Sequence, residues 1–293
     1  MVLKTKINTI LYDTAGLPLP QYATRFLSNL NLSPDSRVVF TVDTSLLHAS
    51  RRSDLNLNFR ERQAHIFEAI LRQAQAIRES AGIQVEVKVL SGDRIDMVID
   101  TALDINASLV VMDAQDIIES PLFPISSSLQ KVFDFAQHPF LLIRPPAQTQ
   151  QILFITDGAP VAKKALAFLI RLPLPKLPNV TVLFNRSLLV SSWSQALKSL
   201  IKQNQTTTEE IELTRANSVV DAALIRLRRA GIFANSLFVE GDPLSEILRL
   251  TNQMQTDLIV FGADRPNAVQ RFLLSSLAQK IATEAPCSVL VVR

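Results

Sequence analysis

The chain of 293 residues is short of several residue types on which common kinds of site depend: it has one cysteine, Cys287, three histidines and seven glycines. A single cysteine excludes an intrachain disulfide, and no Cys/His group has the spacing of a zinc site, so no metal site is predicted. The sequence also lacks a Gly-x-Ser-x-Gly elbow, and no histidine is placed to activate a serine. These absences argue against a disulfide scaffold, a zinc protein and a serine hydrolase.

Long apolar runs are absent as well. No stretch approaches the ~20 residues of a membrane-spanning helix, and the first residues lack the apolar region of a signal peptide. We therefore expect a cytoplasmic protein with no membrane partner. The formal net charge is only +3, and basic pairs such as Arg51-Arg52 and Arg228-Arg229 are scattered along the chain. Scattered pairs are typical of a solvated surface, so no nucleic-acid partner is expected.

The clearest feature that is present is an internal repeat. One constant offset places Gly92-Asp93 on Gly241-Asp242, and FLLIR (140–144) on VLVVR (289–293). Near the starts of the two halves a slightly shorter offset matches Asp13 with Asp157. The segment PPAQTQ, residues 145–150, resists continuing a strand and is the natural linker. The predicted domains are residues 1–147 and 148–293.

Each half alternates short apolar runs with helical patterns. Such runs are typical of parallel strands that are buried on both faces. They predict five strands in each half, beginning with Asn8–Asp13 in the first and Gln151–Asp157 in the second. The pattern therefore predicts an α/β fold of two tandem, doubly wound, parallel five-stranded sheets. A further helix is predicted over Ser191–Lys202, which carries Trp193.

Ligands of doubly wound sheets bind beyond the carboxyl ends of the strands, where the strand order reverses. We call this region, beyond the carboxyl ends of the strands, the mouth of a sheet. The rule places Asp13 and Asp113 at the mouth of the first sheet, and Asp157 and Gly262 at the mouth of the second. Asp13 and Asp157 each lie at the end of the first strand of a half, where an aspartate most commonly caps the turn by accepting backbone hydrogen bonds.

The second half resembles the universal stress proteins. ILFITDGAPVAKKAL is similar to the family's first strand, acidic residue and helix, DLIVFGADR to its fourth strand and the start of its glycine motif, and APCSVLVVR to its usual ending. The first half resembles the same domain more faintly, through LYDTAG, VLSGD and FLLIRP. The resemblance implies a tandem pair of Rossmann-like domains of the adenine nucleotide alpha-hydrolase-like type. It also implies that the final strands pair with each other, here within one chain. As an alternative to turn capping, the resemblance suggests that Asp13 and Asp157 could each contact an adenine-ribose ligand or a metal.

Nucleotide-binding members of that family carry glycine, two residues, glycine, nine residues, glycine, then serine or threonine. On the second half, this spacing falls on Gly262, Arg265, Ser275 and Ser276, so one glycine of three is present. On the first half it falls on Asp113, Asp116, Ser126 and Ser127, with no glycine and two carboxylates. Like charges would repel a triphosphate there, whereas Arg265 could pair with a phosphate oxygen.

Three functions stay open from the sequence. The favoured one is a stress-response binding or signalling module without turnover, with no cofactor and with an unknown protein as partner. The second is ATP or adenine-nucleotide binding in the second domain through Asp157, Gly262, Arg265, Ser275 and Ser276, with slow hydrolysis at most. The third is an enzyme or electron carrier of the wider group, which no nucleophile, metal cluster or flavin motif supports. Self-association into a homo-oligomer is an open alternative for the whole chain.

Overall fold

The computed structural model describes residues 7–43, 59–117, 127–185, 205–264 and 274–293. Strands and helices alternate along these ranges. The strands are β1 (Thr9–Asp13), β2 (Arg37–Asp43), β3 (Gln84–Leu90), β4 (Leu109–Asp113), β5 (Phe140–Ile143), β6 (Gln151–Ile155), β7 (Asn179–Asn185), β8 (Phe233–Val239), β9 (Leu258–Gly262) and β10 (Ser288–Val292). The helices are α1 (Gln21–Asn29), α2 (Phe59–Ala81), α3 (Arg94–Asp104), α4 (Ala114–Ile117), α5 (Ser127–Phe135), α6 (Pro160–Leu169), α7 (Gln205–Arg229), α8 (Pro243–Gln253) and α9 (Leu274–Glu284). The predicted helix Ser191–Lys202 lies outside the described residues.

All ten strands form one continuous sheet in the order β3-β2-β1-β4-β5-β10-β9-β6-β7-β8. Neighbouring strands are parallel except at the centre, where β10 pairs with β5 in antiparallel orientation. Each half is therefore a five-stranded, doubly wound parallel sheet, as predicted, and the two halves are joined edge to edge. Joining the two final strands leaves β3 and β8 as the outer strands.

Helices cover both faces of this sheet. On one face, a buried cluster contains Leu27 of α1, Ile77 of α2, Phe168 of α6 and Leu227 of α7. On the other face, a second cluster contains apolar residues of α3, α5, α8 and α9, among them Val98 and Ile281. Successive residues of a strand point to opposite faces, and this is why continuous apolar runs such as ILFI suit strands that are covered twice.

Two arginines at equivalent positions cross the junction between the halves. Arg144, which follows β5, donates from Nη1 to the Cys287 carbonyl at 3.0 Å and from Nη2 to the Ala282 carbonyl in the last turn of α9. Arg293, which follows β10, donates from Nη2 to the Val132 carbonyl at 3.3 Å in α5. Each arginine therefore caps the last helix of the other half, where free carbonyls and the helix dipole favour a cation.

The strand register corrects the predicted match of Asp13 with Asp157. Thr9 lies opposite Arg37, and Gln151 lies opposite Asn179 at the corresponding point of the second half. Continuing both strands places Thr14 with Thr156, Ala15 with Asp157 and Gly16 with Gly158. The turn hydrogen bonds agree, because Thr14 Oγ1 accepts from Gly16 N and Thr156 Oγ1 accepts from Gly158 N. Asp13 instead corresponds to Ile155, so the first half has an alanine in place of the second half's acidic turn residue.

Candidate functional site

The mouth of the first half lies between the carboxyl ends of β1 and β4, which are neighbours in the sheet. It is at this point that the strand order reverses, so the fold directs a ligand here. The last residues of these two strands, Asp13 and Asp113, are both buried carboxylates. Two buried charges require partners, and the structure supplies them from within the chain.

Asp13 is fully engaged by its neighbours. Arg94 Nε donates to Asp13 Oδ2 at 2.8 Å, and Arg94 Nη2 lies 2.7 Å from the same oxygen. Oδ1 accepts from Ala15 N and from Thr41 Oγ1, each at 3.2 Å. The side chain of Asp13 is 1% exposed and that of Arg94 is 12% exposed, so this is a buried ion pair rather than a surface one. Asp13 thus caps its turn, as one of the two sequence hypotheses held, and binds Arg94 as well.

Arg94 was not identified from the sequence as part of the mouth. It is the first residue of α3, directly after Asp93, whose side chain caps that helix. At the equivalent place in the second half, Asp242 caps α8 and is followed by Pro243. The repeated Gly-Asp turn is therefore followed by an arginine in the first half and by a proline in the second. That difference between the halves is visible in the sequence and was the signal available for finding Arg94.

Asp113 is engaged in the same way. Tyr22, on α1, donates its hydroxyl hydrogen to Asp113 Oδ2, and Gln115 N donates to Oδ1 at 2.9 Å. Burial, and then this hydrogen bond, raise the pKa of Tyr22, so its hydroxyl keeps its proton. Burial and the charge of Asp113 also raise the pKa of Tyr12, whose buried hydroxyl has no hydrogen-bond partner within the described ranges.

Asp116 is the third carboxylate of the mouth. Its backbone carbonyl accepts from Arg94 Nη1 at 3.2 Å. Burial raises the pKa of its side chain to about 6, the charge of Asp113 adds to this rise, and Arg94 opposes it. Asp13, Asp113 and Asp116 therefore bring three carboxylates to this mouth, and Arg94 is already paired with Asp13. A phosphate group placed here would meet negative charge and no unpaired cation among the described side chains.

The mouth of the second half contains Asp157, whose side chain caps a turn. Asp157 Oδ1 accepts from Ala159 N at 2.9 Å. Gly158 follows with a φ of +81°, and a Cβ there would lie 2.6 Å from Val219 Cγ2. This geometry matches the turn-capping hypothesis for Asp157, and the side chain is half-buried rather than enclosed.

Gly262 has a packing role. A Cβ on Gly262 would lie 2.5 Å from both the carbonyl carbon and the carbonyl oxygen of Val161, and 2.8 Å from Ala162 N. The end of β9 therefore touches the backbone at the start of α6, and only glycine permits this approach. The glycine that survives from the motif is needed by the fold, whether or not a ligand binds.

The remaining residues of the predicted set are only partly placed. Arg265 lies outside the described residues. Ser275 and Ser276 lie in the first turn of α9, and the structure does not describe their side chains. Asp157 and Gly262 share one edge of the sheet, because β6 and β9 are paired in parallel. Within the ranges that the structure describes, no group of three or more His, Cys, Asp or Glu side chains could hold a metal ion.

Comparison with known proteins identifies the family of this chain. Residues 148–293 match the model of the universal stress protein family. The chain belongs to this family. A universal stress protein of Methanocaldococcus jannaschii is 35% identical over 63 residues, covering 22% of this chain and 37% of the relative. A putative universal stress protein of Staphylococcus aureus is 44% identical over 54 residues, covering 18% of this chain and 32% of the relative. The chain thus spans about a third of the length of these curated relatives.

Solved structures of universal stress proteins match the chain over nearly its whole length. One from Archaeoglobus fulgidus has a TM-score of 0.62 at 15% identity, covering 98% of this chain and 97% of that one. A putative universal stress protein from Pseudomonas aeruginosa has a TM-score of 0.66 at 16% identity, covering 98% and 93%. These likenesses show the fold of both halves. Within the described ranges, no helix is both long enough and apolar enough to cross a membrane.

Proposed function

We propose that this universal stress protein is a cytoplasmic stress-response module that acts by binding and signalling and turns over no nucleotide. The observation that carries the proposal is the pairing of Asp13 with Arg94 at the mouth of the first domain. Where nucleotide-binding members place a glycine loop, this domain has Asp116 and Asp113, and the Asp113 carboxylate accepts hydrogen bonds from within the chain. The family membership supports a role in the stress response, and the partner is a protein not yet identified.

The charges at the first mouth do not suit ATP turnover. Turnover of ATP requires donors and cations that stabilise charge on the transferred phosphoryl group. The first mouth offers Asp113 and Asp116 instead, and Arg94 would have to leave a buried aspartate before it could serve a phosphate. Leaving a buried charge unpaired is strongly unfavourable. The first domain is therefore closed to triphosphates by its own side chains.

A turnover assay tests this proposal. Purified chain, stripped of nucleotide, is incubated with magnesium and labelled ATP, and phosphate release is followed. We expect no release above the protein-free blank. The double variant Arg265→Gly/Ser275→Gly restores the three-glycine spacing and is the matched comparison. We expect it to gain ATP affinity in the second domain. Turnover by the wild-type chain would contradict the proposal.

One observation favours a second candidate, which is ATP binding without catalysis by the second domain. Asp157 Oδ2 makes no hydrogen bond to the described residues, and the side chain faces the mouth at half burial. Helix α6 begins at Pro160, and its N-cap residue Ala159 provides no side-chain cap, so the amides of Val161 and Ala162 are left as donors in the first turn. For this candidate, an Asp157→Ala variant would lose a calorimetric ATP signal that the wild-type chain shows.

A further inference from the structure

The two outer strands of the sheet differ in how they protect their free edges. β3, Gln84–Leu90, carries Glu86 and Lys88. Charged side chains on an edge strand discourage pairing with another chain. β8, Phe233–Val239, has the sequence FANSLFV and carries no charge, no proline and no glycine. Among the strands that the structure describes, its one neighbour is β7, so the backbone groups on its other side have no strand partner within the described ranges.

The edge at β8 also exposes large apolar side chains. Phe233 is 69% exposed and Phe238 is 39% exposed. Because five positions separate them, they lie on opposite faces of the strand. Leu177, in the loop before β7, is 69% exposed and lies near Gly231, just before β8 begins. An uncharged edge with exposed aromatic residues on both faces is the kind of strand that accepts a further strand.

We propose that β8 is a self-association edge, at which β8 of a second copy of this chain pairs in antiparallel orientation. The pairing with the greatest overlap is centred on Ser236. It places Phe233 opposite Val239 of the other copy, and Phe238 opposite Ala234. Each phenylalanine then lies beside a smaller apolar side chain on the same face, the cross-strand arrangement that stabilises sheets.

The charges that flank β8 identify the occupant as a second copy. The last turn of α7, before the strand, carries Arg226, Arg228 and Arg229. The turn after the strand carries Glu240 and Asp242. Antiparallel pairing about Ser236 brings the basic end of one copy beside the acidic turn of the other, twice over. This charge complementarity requires no partner other than the chain itself, and the two-fold symmetry gives a closed dimer rather than a filament.

Sedimentation equilibrium tests the proposal. At about 100 µM, far above a micromolar dissociation constant, we expect the wild-type chain at twice its mass of 32.5 kDa. A Ser236→Lys variant places like charges opposite each other and should be monomeric. Lys88→Glu, on the β3 edge, is the matched control and should leave the mass at that of the dimer. Circular dichroism verifies that each variant is folded.

Mixing charge variants tests the pairing geometry. Ser236→Lys and Ser236→Glu should each be monomeric alone and should form a dimer when mixed, because their opposite charges then meet across the two-fold axis. A monomeric wild-type chain, a dimer that survives Ser236→Lys, or a mixture that stays monomeric would each overturn the proposal. A β-sheet partner from another protein is the interpretation that a monomeric wild-type chain would favour.

Discussion

The ion pair between Asp13 and Arg94 is the single contact on which the first mouth depends most. Arg94→Met would leave Asp13 buried beside Asp113 without a counter-charge. Breaking a buried pair by removing one partner costs about 3–5 kcal/mol, so we expect the free energy of unfolding to fall by that amount. Urea denaturation at neutral pH measures it.

The double variant Asp13→Asn/Arg94→Met is the control for that experiment, because it removes both charges. We expect it to recover most of the lost stability, since replacing both members of a buried pair is often close to neutral. If the single variant were as stable as the wild type, the ion pair would not stabilise the fold, and Arg94 would be available to a ligand.

Substitution of Gly262 tests whether this glycine is needed for packing or for a ligand. A Cβ there would meet the Val161 backbone at 2.5 Å, so Gly262→Ala must displace the start of α6. We expect a loss of about 1–3 kcal/mol, the usual range for overpacking. Thermal melting with and without ATP checks this, and the loss should be the same in both. A variant of unchanged stability would contradict the packing role.

Asp116 makes the stability of the first domain depend on pH in an unusual direction. Burial and the charge of Asp113 raise its pKa in the folded state to about 6, above the usual value for an aspartate. The folded state therefore binds the proton more readily than the unfolded state does, and this group lowers stability as pH rises from about 4 to about 6. Asp116→Asn removes that effect. We expect it to raise the urea midpoint at pH 7.5 and to leave it unchanged near pH 4, and an equal shift at both values would contradict the raised pKa.

Among the elements, the central pair of strands is fixed by arginines as well as by the backbone ladder. Arg293 donates to carbonyls of α5, and its guanidinium carbon lies 5.4 Å from the centre of the Phe140 ring. Burial lowers the pKa of its counterpart Arg144. We expect Arg293→Ala to cost about 2–3 kcal/mol, because hydrogen bonds from charged groups contribute about 1.5–3 kcal/mol.

Chemical denaturation measures that loss, and a surface arginine, Arg249, provides the control variant. Arg249 is exposed, and its partners among the described residues are Glu246 and Gln253 of its own helix. Surface pairs of this kind contribute little, so Arg249→Ala should leave the unfolding midpoint unchanged. If the two variants behaved alike, the arginine contacts across the junction would not be holding the two halves together.

Much of the element order could be predicted from the sequence. Apolar runs predicted five strands in each half, and the first strands, predicted over Asn8–Asp13 and Gln151–Asp157, are observed over Thr9–Asp13 and Gln151–Ile155. The reason is that strands buried on both faces need continuous apolar sequence, which the helices between them do not share. The pairing of the final strands was also predicted, from the resemblance of FLLIR and VLVVR to the family's ending, and β5 and β10 confirm it.

The chemistry of the first mouth could not be predicted in this way. Asp13 and Arg94 are distant in sequence. The repeated Gly-Asp turn marks Arg94 as a difference between the halves, but it does not indicate that Arg94 pairs with the last residue of β1. The match of Asp13 with Asp157 was wrong because both follow a strand, and identity alone does not fix a register to within two residues. Only the pairing of Thr9 with Arg37 and of Gln151 with Asn179 settles it.

At the scale of the whole molecule, the two halves of the chain meet along the antiparallel pair of β5 and β10, which we call the seam, and at the arginine contacts beside it. The seam occupies the strands that would otherwise be free edges, so the remaining edges are β3 and β8. Both ligand mouths lie at carboxyl ends of parallel strands, and the two differ in chemistry. The first contains paired and buried carboxylates, whereas the second contains a half-buried aspartate and a glycine fixed by packing.

Calorimetric titration of the nucleotide-stripped chain with magnesium and ATP shows whether either mouth binds nucleotide, with Asp157→Ala measured alongside. We expect no saturable heat from either protein at millimolar ATP, because the first mouth is closed by its own side chains and the second lacks two of the three motif glycines. One saturable site that disappears in Asp157→Ala would favour the second candidate function. Two sites per chain, or one that survives Asp157→Ala, would place nucleotide in the first mouth and contradict its closure.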